Sequence, residues 1–212
     1  MDILVVLENN GGSIHRMSLE AIVAAQKLAD EQSLSNAILA IGSDTSALAN
    51  AAANYNIGEV LTVEHNLLSG YNSDGFAAAV KQVIDQEQPN YVFFGHTYMV
   101  RDYVPKISAQ LQRPFLCDVT SLNTTAGLTF TKQAFNAKLA TDLGVASEGT
   151  VLVSFQSAAF NADLISSGTA DIREVAVELN EGMIKTTAEE PFQAVSYTHL
   201  RAHETEAAIV CR

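Results

Sequence analysis

The first 122 residues alternate short apolar runs with amphipathic stretches of helical length, and few folds accommodate that alternation. The apolar runs are Ile3–Leu7, Ala37–Ile41, Glu59–Val63, Tyr91–Gly95 and Cys117–Leu122. Between them lie a helix from Ser18 that buries Leu19, Ile22, Val23, Ala25 and Leu28, and a short Ala-rich helix capped by Asp44 or Thr45. A third, capped by Ser73 or Asp74, turns Phe76, Ala77, Val80, Val83 and Ile84 inward, and a fourth runs near Met99–Gln112. Strands that alternate with helices in this way predict an α/β fold with a parallel sheet and crossover helices.

Past Leu122 the pattern changes. Gly127–Lys132, Gln133–Thr141, Thr150–Gln156 and Ile172–Leu179 read as strands with little helix between them, and Arg173–Leu179 alternates most clearly. These segments predict an antiparallel extension on the parallel core. The acidic stretch Glu174–Glu190 reads as a solvated edge and linker.

A chain of 212 residues can bury roughly 70% of its unfolded surface in one generous domain. A net charge of −12 argues against nucleic acid and against anionic membrane surfaces, both of which need clustered Lys and Arg. No apolar run reaches the ~20 residues of a membrane span. The opening MDILVVLE lacks the regions of a signal peptide, so a reducing cytoplasm is the expected compartment. Cys117 and Cys211 make no disulfide framework, and no Cys/His spacing suggests zinc.

Ser196–Arg212 shows no apolar period. It is similar to translated read-through of a sequencing adapter, and is expected to be non-native and outside the fold. Setting it aside removes His199, His203 and Cys211 from consideration and leaves the net charge unchanged.

The most informative stretch is Gln88–Val119. A buried strand ends at Gly95, a polar loop His96-Thr97-Tyr98 follows, and a helix carries Arg101, Asp102 and Pro105. Open α/β sheets place ligands at such strand ends, where a helix N-terminus favours an anion. Gly95, His96, Thr97 and Arg101 are therefore the candidate nucleotide-site residues. Bulky Tyr98-Met99-Val100 and the lack of further glycines speak against close phosphate approach. Asn9–Ser13, with Gly11-Gly12, matches no phosphate-binding motif and reads as an ordinary turn. His15 and His65 have no metal spacing, Ser154 and Ser157 lack a nucleophile elbow, and Cys117 reads as a small core residue. No residue carries a catalytic role or a metal.

Several segments in order resemble one family. They are Ile3–Glu8 with Ser18-Leu19-Glu20-Ala21, Phe94-Gly95-His96 with the helix Arg101-x-x-x-Pro105-x-x-Ser108-x-x-Leu111, Cys117–Thr120, Gln133–Lys138 and Thr150–Phe155. Over some 190 residues this resembles the N-terminal domain of the electron transfer flavoprotein alpha subunit. Phe135 stands where the family's turn has Tyr, and the turn's glycine is absent.

The resemblance implies a three-layer α/β/α fold with a five-stranded parallel sheet of order 3-2-1-4-5, related to adenine nucleotide alpha-hydrolases. It implies residues 1–180 as the domain, 181–195 as a linker towards an FAD domain, and 196–212 as the non-native tail. It further implies a bacterial, cytoplasmic heterodimer with a beta subunit that binds AMP. That assembly would carry electrons from acyl-CoA and other dehydrogenases to a quinone oxidoreductase through FAD, bound mainly outside this fragment. Two other readings stand beside it: a free-standing adenine-nucleotide-binding module of the same fold group, and a hydrolase or transferase that no acid/base pair supports.

Overall fold

The computed structural model describes residues 1–146 and 149–186. Eleven strands and four α-helices follow in the order β1 (Ile3–Val6), β2 (Asn9–Asn10), β3 (Ser13–Ile14), α1 (Arg16–Gln32), β4 (Asn36–Gly42), α2 (Ser46–Ala52), β5 (Glu59–Glu64), α3 (Ser73–Glu87) and β6 (Tyr91–Gly95). Then come α4 (Tyr98–Leu111), β7 (Phe115–Asn123), β8 (Thr129–Ala134), β9 (Leu139–Gly144), β10 (Val151–Phe155) and β11 (Asp171–Glu174).

One nine-stranded sheet has the order β11-β5-β4-β1-β6-β10-β7-β8-β9. Every pairing from β11 through to β7 is parallel, while β7-β8 and β8-β9 are antiparallel. Helices cover both faces. Ile3, Val5 and Phe93 pack with α1 and α2 on one side. Leu4, Val6, Val92 and Phe94 pack with α3 and α4 on the other. Successive side chains of a strand point to opposite faces, so these fully buried runs need both layers. The result is the three-layer α/β/α architecture with an antiparallel extension that the sequence predicts.

Two segments expected in that extension belong to the parallel sheet instead. β10 lies between β6 and β7, so Cys117–Leu122 is not the strand beside β6, and the implied order 3-2-1-4-5 acquires an inserted member. The reason is compositional. Val151-Leu152-Val153-Ser154-Phe155 is buried throughout and suits the covered interior. Phe115–Asn123 carries Asp118, Thr120, Ser121 and Asn123 and is mostly half-buried, as befits the seam with the exposed β8-β9 hairpin.

At the other edge, β11 pairs parallel with β5 and ends at Glu174. The alternation through Leu179 reflects packing on α3: Val175 is buried there, with Val177 and Leu179 packed beside it. Two cap assignments also shift by a few residues. His15, not Ser18, caps α1, and its Nδ1 accepts the Met17 N–H. Asn72 caps α3 by accepting from Gly75, in place of Ser73 or Asp74. Ser18 is buried, and its Oγ accepts the Glu8 N–H at 3.0 Å. Pro105 stands inside α4 on its exposed face, so the helix bond it cannot make is lost where solvent reaches.

Candidate functional site

β1 leads through α1 to β4 on one side, whereas β6 lies on its other side. The sheet therefore changes direction between β1 and β6. Open α/β sheets form a crevice at that point, beyond the carboxyl ends of the strands. Here it is an open cleft of about 480 Å³. Glu8 follows β1, His96 and Thr97 follow β6, Gln156 and Ser157 follow β10, and Asp118 projects from β7.

The close approach of β6 to α1 requires glycine at position 95. A Cβ there would lie 2.6 Å from Met17 Cβ and 2.8 Å from the Met17 carbonyl carbon. Thr97 then caps α4, its Oγ1 accepting the Val100 N–H at 3.2 Å. The same hydroxyl donates to Glu8 Oε2 at 2.5 Å. The Val100 N–H at the start of α4 is thus taken by the helix's own cap, and a carboxylate stands beside that cap.

His96 lies next to it, with Nδ1 2.8 Å from Ser154 Oγ and Nε2 3.9 Å from Asp118 Oδ1. Burial holds its pKa below the ordinary histidine value, although Asp118 pulls the other way. Ser154 Oγ also accepts the Asp118 N–H at 3.3 Å, where Asp118 adopts a left-handed φ of 63° at the irregular β7-β10 pairing. Ser154 is fully buried. Its hydroxyl is a strut that holds the imidazole and the Asp118 turn in place, and no substrate can reach it as a nucleophile.

Arg101 lies outside this network. Its guanidinium sits 5.6 Å from the centre of the Tyr98 ring, which is 88% exposed. Asp102 accepts the Tyr71 hydroxyl at 2.7 Å, and burial together with that carboxylate raises the phenol's pKa. The four residues predicted as a nucleotide site therefore divide. His96, Thr97 and Arg101 line the cleft, Arg101 over the exposed Tyr98 ring, while Gly95 lies behind them where β6 meets α1.

The sequence did not bring Glu8, Asp118 or Ser154 to this place. Glu8 could have been found, since it follows β1 directly and the carboxyl ends of neighbouring parallel strands meet at one edge. Asp118 and Ser154 needed the central placement of β10. Gly11 and Gly12 form the β2-β3 turn, with φ of 60° and 88°, as the Asn/Gly composition suggests. His65 accepts the Leu67 N–H, so it and His15 serve as hydrogen-bonded caps. Cys117 is half-buried and not in the core, because β7 is a seam strand, and its Sγ lies 3.1 Å from Lys132 Nζ. Among the described residues no group of three His, Cys, Asp or Glu could hold a metal ion.

A family model described as the electron transfer flavoprotein domain matches residues 3–180, the stretch that holds every strand of the sheet and the cleft. The chain belongs to the electron transfer flavoprotein domain family. Among curated relatives, the electron transfer flavoprotein subunit alpha of Bacillus subtilis is 31% identical over 137 residues, covering 64% of this chain and 42% of that protein. The subunit alpha of Clostridium acetobutylicum is 22% identical over 188 residues, covering 86% of this chain and 56% of its own length. Protein FixB of Azorhizobium caulinodans is 29% identical over 140 residues, covering 64% and 38%.

This electron transfer flavoprotein domain is thus of the alpha-subunit type, and it spans about half the length of the curated relatives it matches. Members of the family are flavoproteins that carry electrons and are not enzymes in themselves. Glu8 lines the cleft beside the α4 cap, and its carboxylate disfavours an anion such as the flavin's pyrophosphate there.

Proposed function

We propose that this chain is the scaffold and interface domain of an electron transfer flavoprotein alpha subunit, with no catalytic residue of its own. In this reading it pairs with a beta subunit carrying AMP, and the heterodimer holds FAD mainly on residues outside those described. The assembly passes electrons from acyl-CoA and other dehydrogenases to a quinone oxidoreductase, in the bacterial cytoplasm. Residues 1–180 form the domain, 181–195 lead towards the flavin-bearing part, and 196–212 are a non-native tail. Among the described residues no helix is long and apolar enough to cross a membrane.

The observation that supports this most is the family match across the whole sheet. The protein around a cofactor supplies binding, orientation and electrostatics, and a domain of this kind supplies position.

Co-expression with an electron transfer flavoprotein beta subunit tests the reading. The expected result is co-elution at one to one from size exclusion, together with no stoichiometric flavin absorbance from this chain purified alone. Failure to co-elute, or a full complement of FAD on the isolated chain, would overturn it.

A further inference from the structure

Asp74, Ala78, Gln82 and Gln86 recur every fourth residue along α3 and so form one stripe on its surface. After β11 the chain leaves the sheet edge and runs along this stripe. Val175 still donates to Thr62 O at 2.8 Å, as a strand residue would. Beyond it, side-chain amides replace the neighbouring strand. Gln86 Nε2 donates to Ala176 O at 3.0 Å, and one helical turn on, Gln82 Nε2 donates to Glu178 O at 2.8 Å. Gln82 Oε1 in return accepts the Glu178 N–H at 2.8 Å, giving a two-way pair with that backbone.

Two further turns along, Asp74 Oδ2 accepts the Lys185 N–H at 2.9 Å and the Thr186 hydroxyl at 3.0 Å. Its other oxygen is held by Lys106 Nζ of α4 at 3.0 Å. The short helical turn Glu181–Met183 also lies against α3. Beneath the segment, Val177 and Leu179 rest on the α3–α4 core.

We propose that residues 175–186 form a strap, clamped by Asp74, Gln82 and Gln86 of α3, that fixes the course of the chain after β11. β11 runs parallel to β5, and the strap continues in that direction towards the N-terminus of α3. That end of α3 lies at the carboxyl edge of the sheet, the edge that carries the cleft. The clamp therefore sets the strap's direction, and Asp74 ties it beside the N-terminus of α3. On the alpha-subunit reading, on which this consequence rests, the strap holds the flavin-bearing part over the carboxyl edge. The strap itself does not depend on that reading.

Hydrogen exchange on the whole chain tests it, with Gln82→Ala and Asp74→Ala made separately and together. Gln82→Ala should speed exchange of the Glu178 amide by about fivefold, and Asp74→Ala that of Lys185 likewise, the ratio expected for one hydrogen bond. The Val175 amide, tied to β5, should stay protected in all three. The double variant should become open to protease between 176 and 186. Unchanged exchange at Glu178 and Lys185, or equal loosening of α3 and β5 amides, would overturn the proposal. Flavin content and beta-subunit capture, read on the same preparations, report on the alpha-subunit reading separately.

Discussion

At the scale of single residues, the cleft wall is decided by packing and by local hydrogen bonds. Gly95 is a glycine because Met17 leaves no room for a Cβ. Gly95→Ala should cost about 1–3 kcal/mol through overpacking against a fixed helix turn. A lower urea midpoint with an unchanged slope would record it. His96 gives a second prediction. Burial lowers its folded pKa from the ordinary 6.5, so the unfolded chain takes up a proton more readily. Its contribution is fully present above 6.5 and is lost as pH falls from there towards the folded value. An NMR titration of the His96 ring should show a midpoint below 6.5, and His96→Gln should flatten the stability loss over that window. The sequence placed His96 and Thr97 at a strand end correctly, since an apolar run followed by a polar loop is a local signal. It was silent on Glu8, Asp118 and Ser154, which reach them only through strand order.

At the scale of elements, the five longer strands and four helices of the first 122 residues were legible to within a few residues, because each carries its own periodicity, whereas the two-residue β2 and β3 read only as a turn. The order of strands is a property of pairs, and one chain's pattern does not state it. β10 offered a clue in its unbroken apolar run, whereas β11 misled: its alternation continues past Glu174 because the strap packs with the same period on a helix. The Asp74 tie supplies a prediction at this scale. The Lys185 N–H first, then Lys106, lower the Asp74 carboxyl from 3.8 to about 2. Lys106 of α4, the Lys185 backbone, the Thr186 hydroxyl and the adjacent Ser73–Lys106 contact surround it. A lowered carboxyl stabilises the fold above 3.8, and that contribution disappears as pH falls towards 2. Between pH 5 and pH 3 the urea midpoint, followed by circular dichroism, should therefore fall less in Asp74→Asn than in the parent chain. An equal fall would remove Asp74 from the account.

At the scale of the whole molecule, the sheet's change of direction creates a crevice whether or not a ligand uses it. What decides use is the free bonding capacity left at the strand ends. In this chain Thr97 caps α4 and leans on Glu8, His96 leans on Ser154, and the Arg101 guanidinium lies over an exposed ring. The crevice presents a carboxylate to any incoming phosphate, in a chain of net charge −12. An adenine-nucleotide module of the same fold would have to reverse that arrangement, with open N–H groups at the helix start. AMP or ATP at millimolar concentration should accordingly leave the thermal midpoint unchanged. A ligand present at 100 times its Kd would add about 2.7 kcal/mol and could not be missed. Glu8→Gln removes the repelling charge but leaves the Thr97 cap in place, so that variant should also stay unresponsive. A shift in Glu8→Gln alone would make Glu8 the sole barrier to nucleotide, and a shift in the parent chain would restore the binding-module reading over the scaffold one.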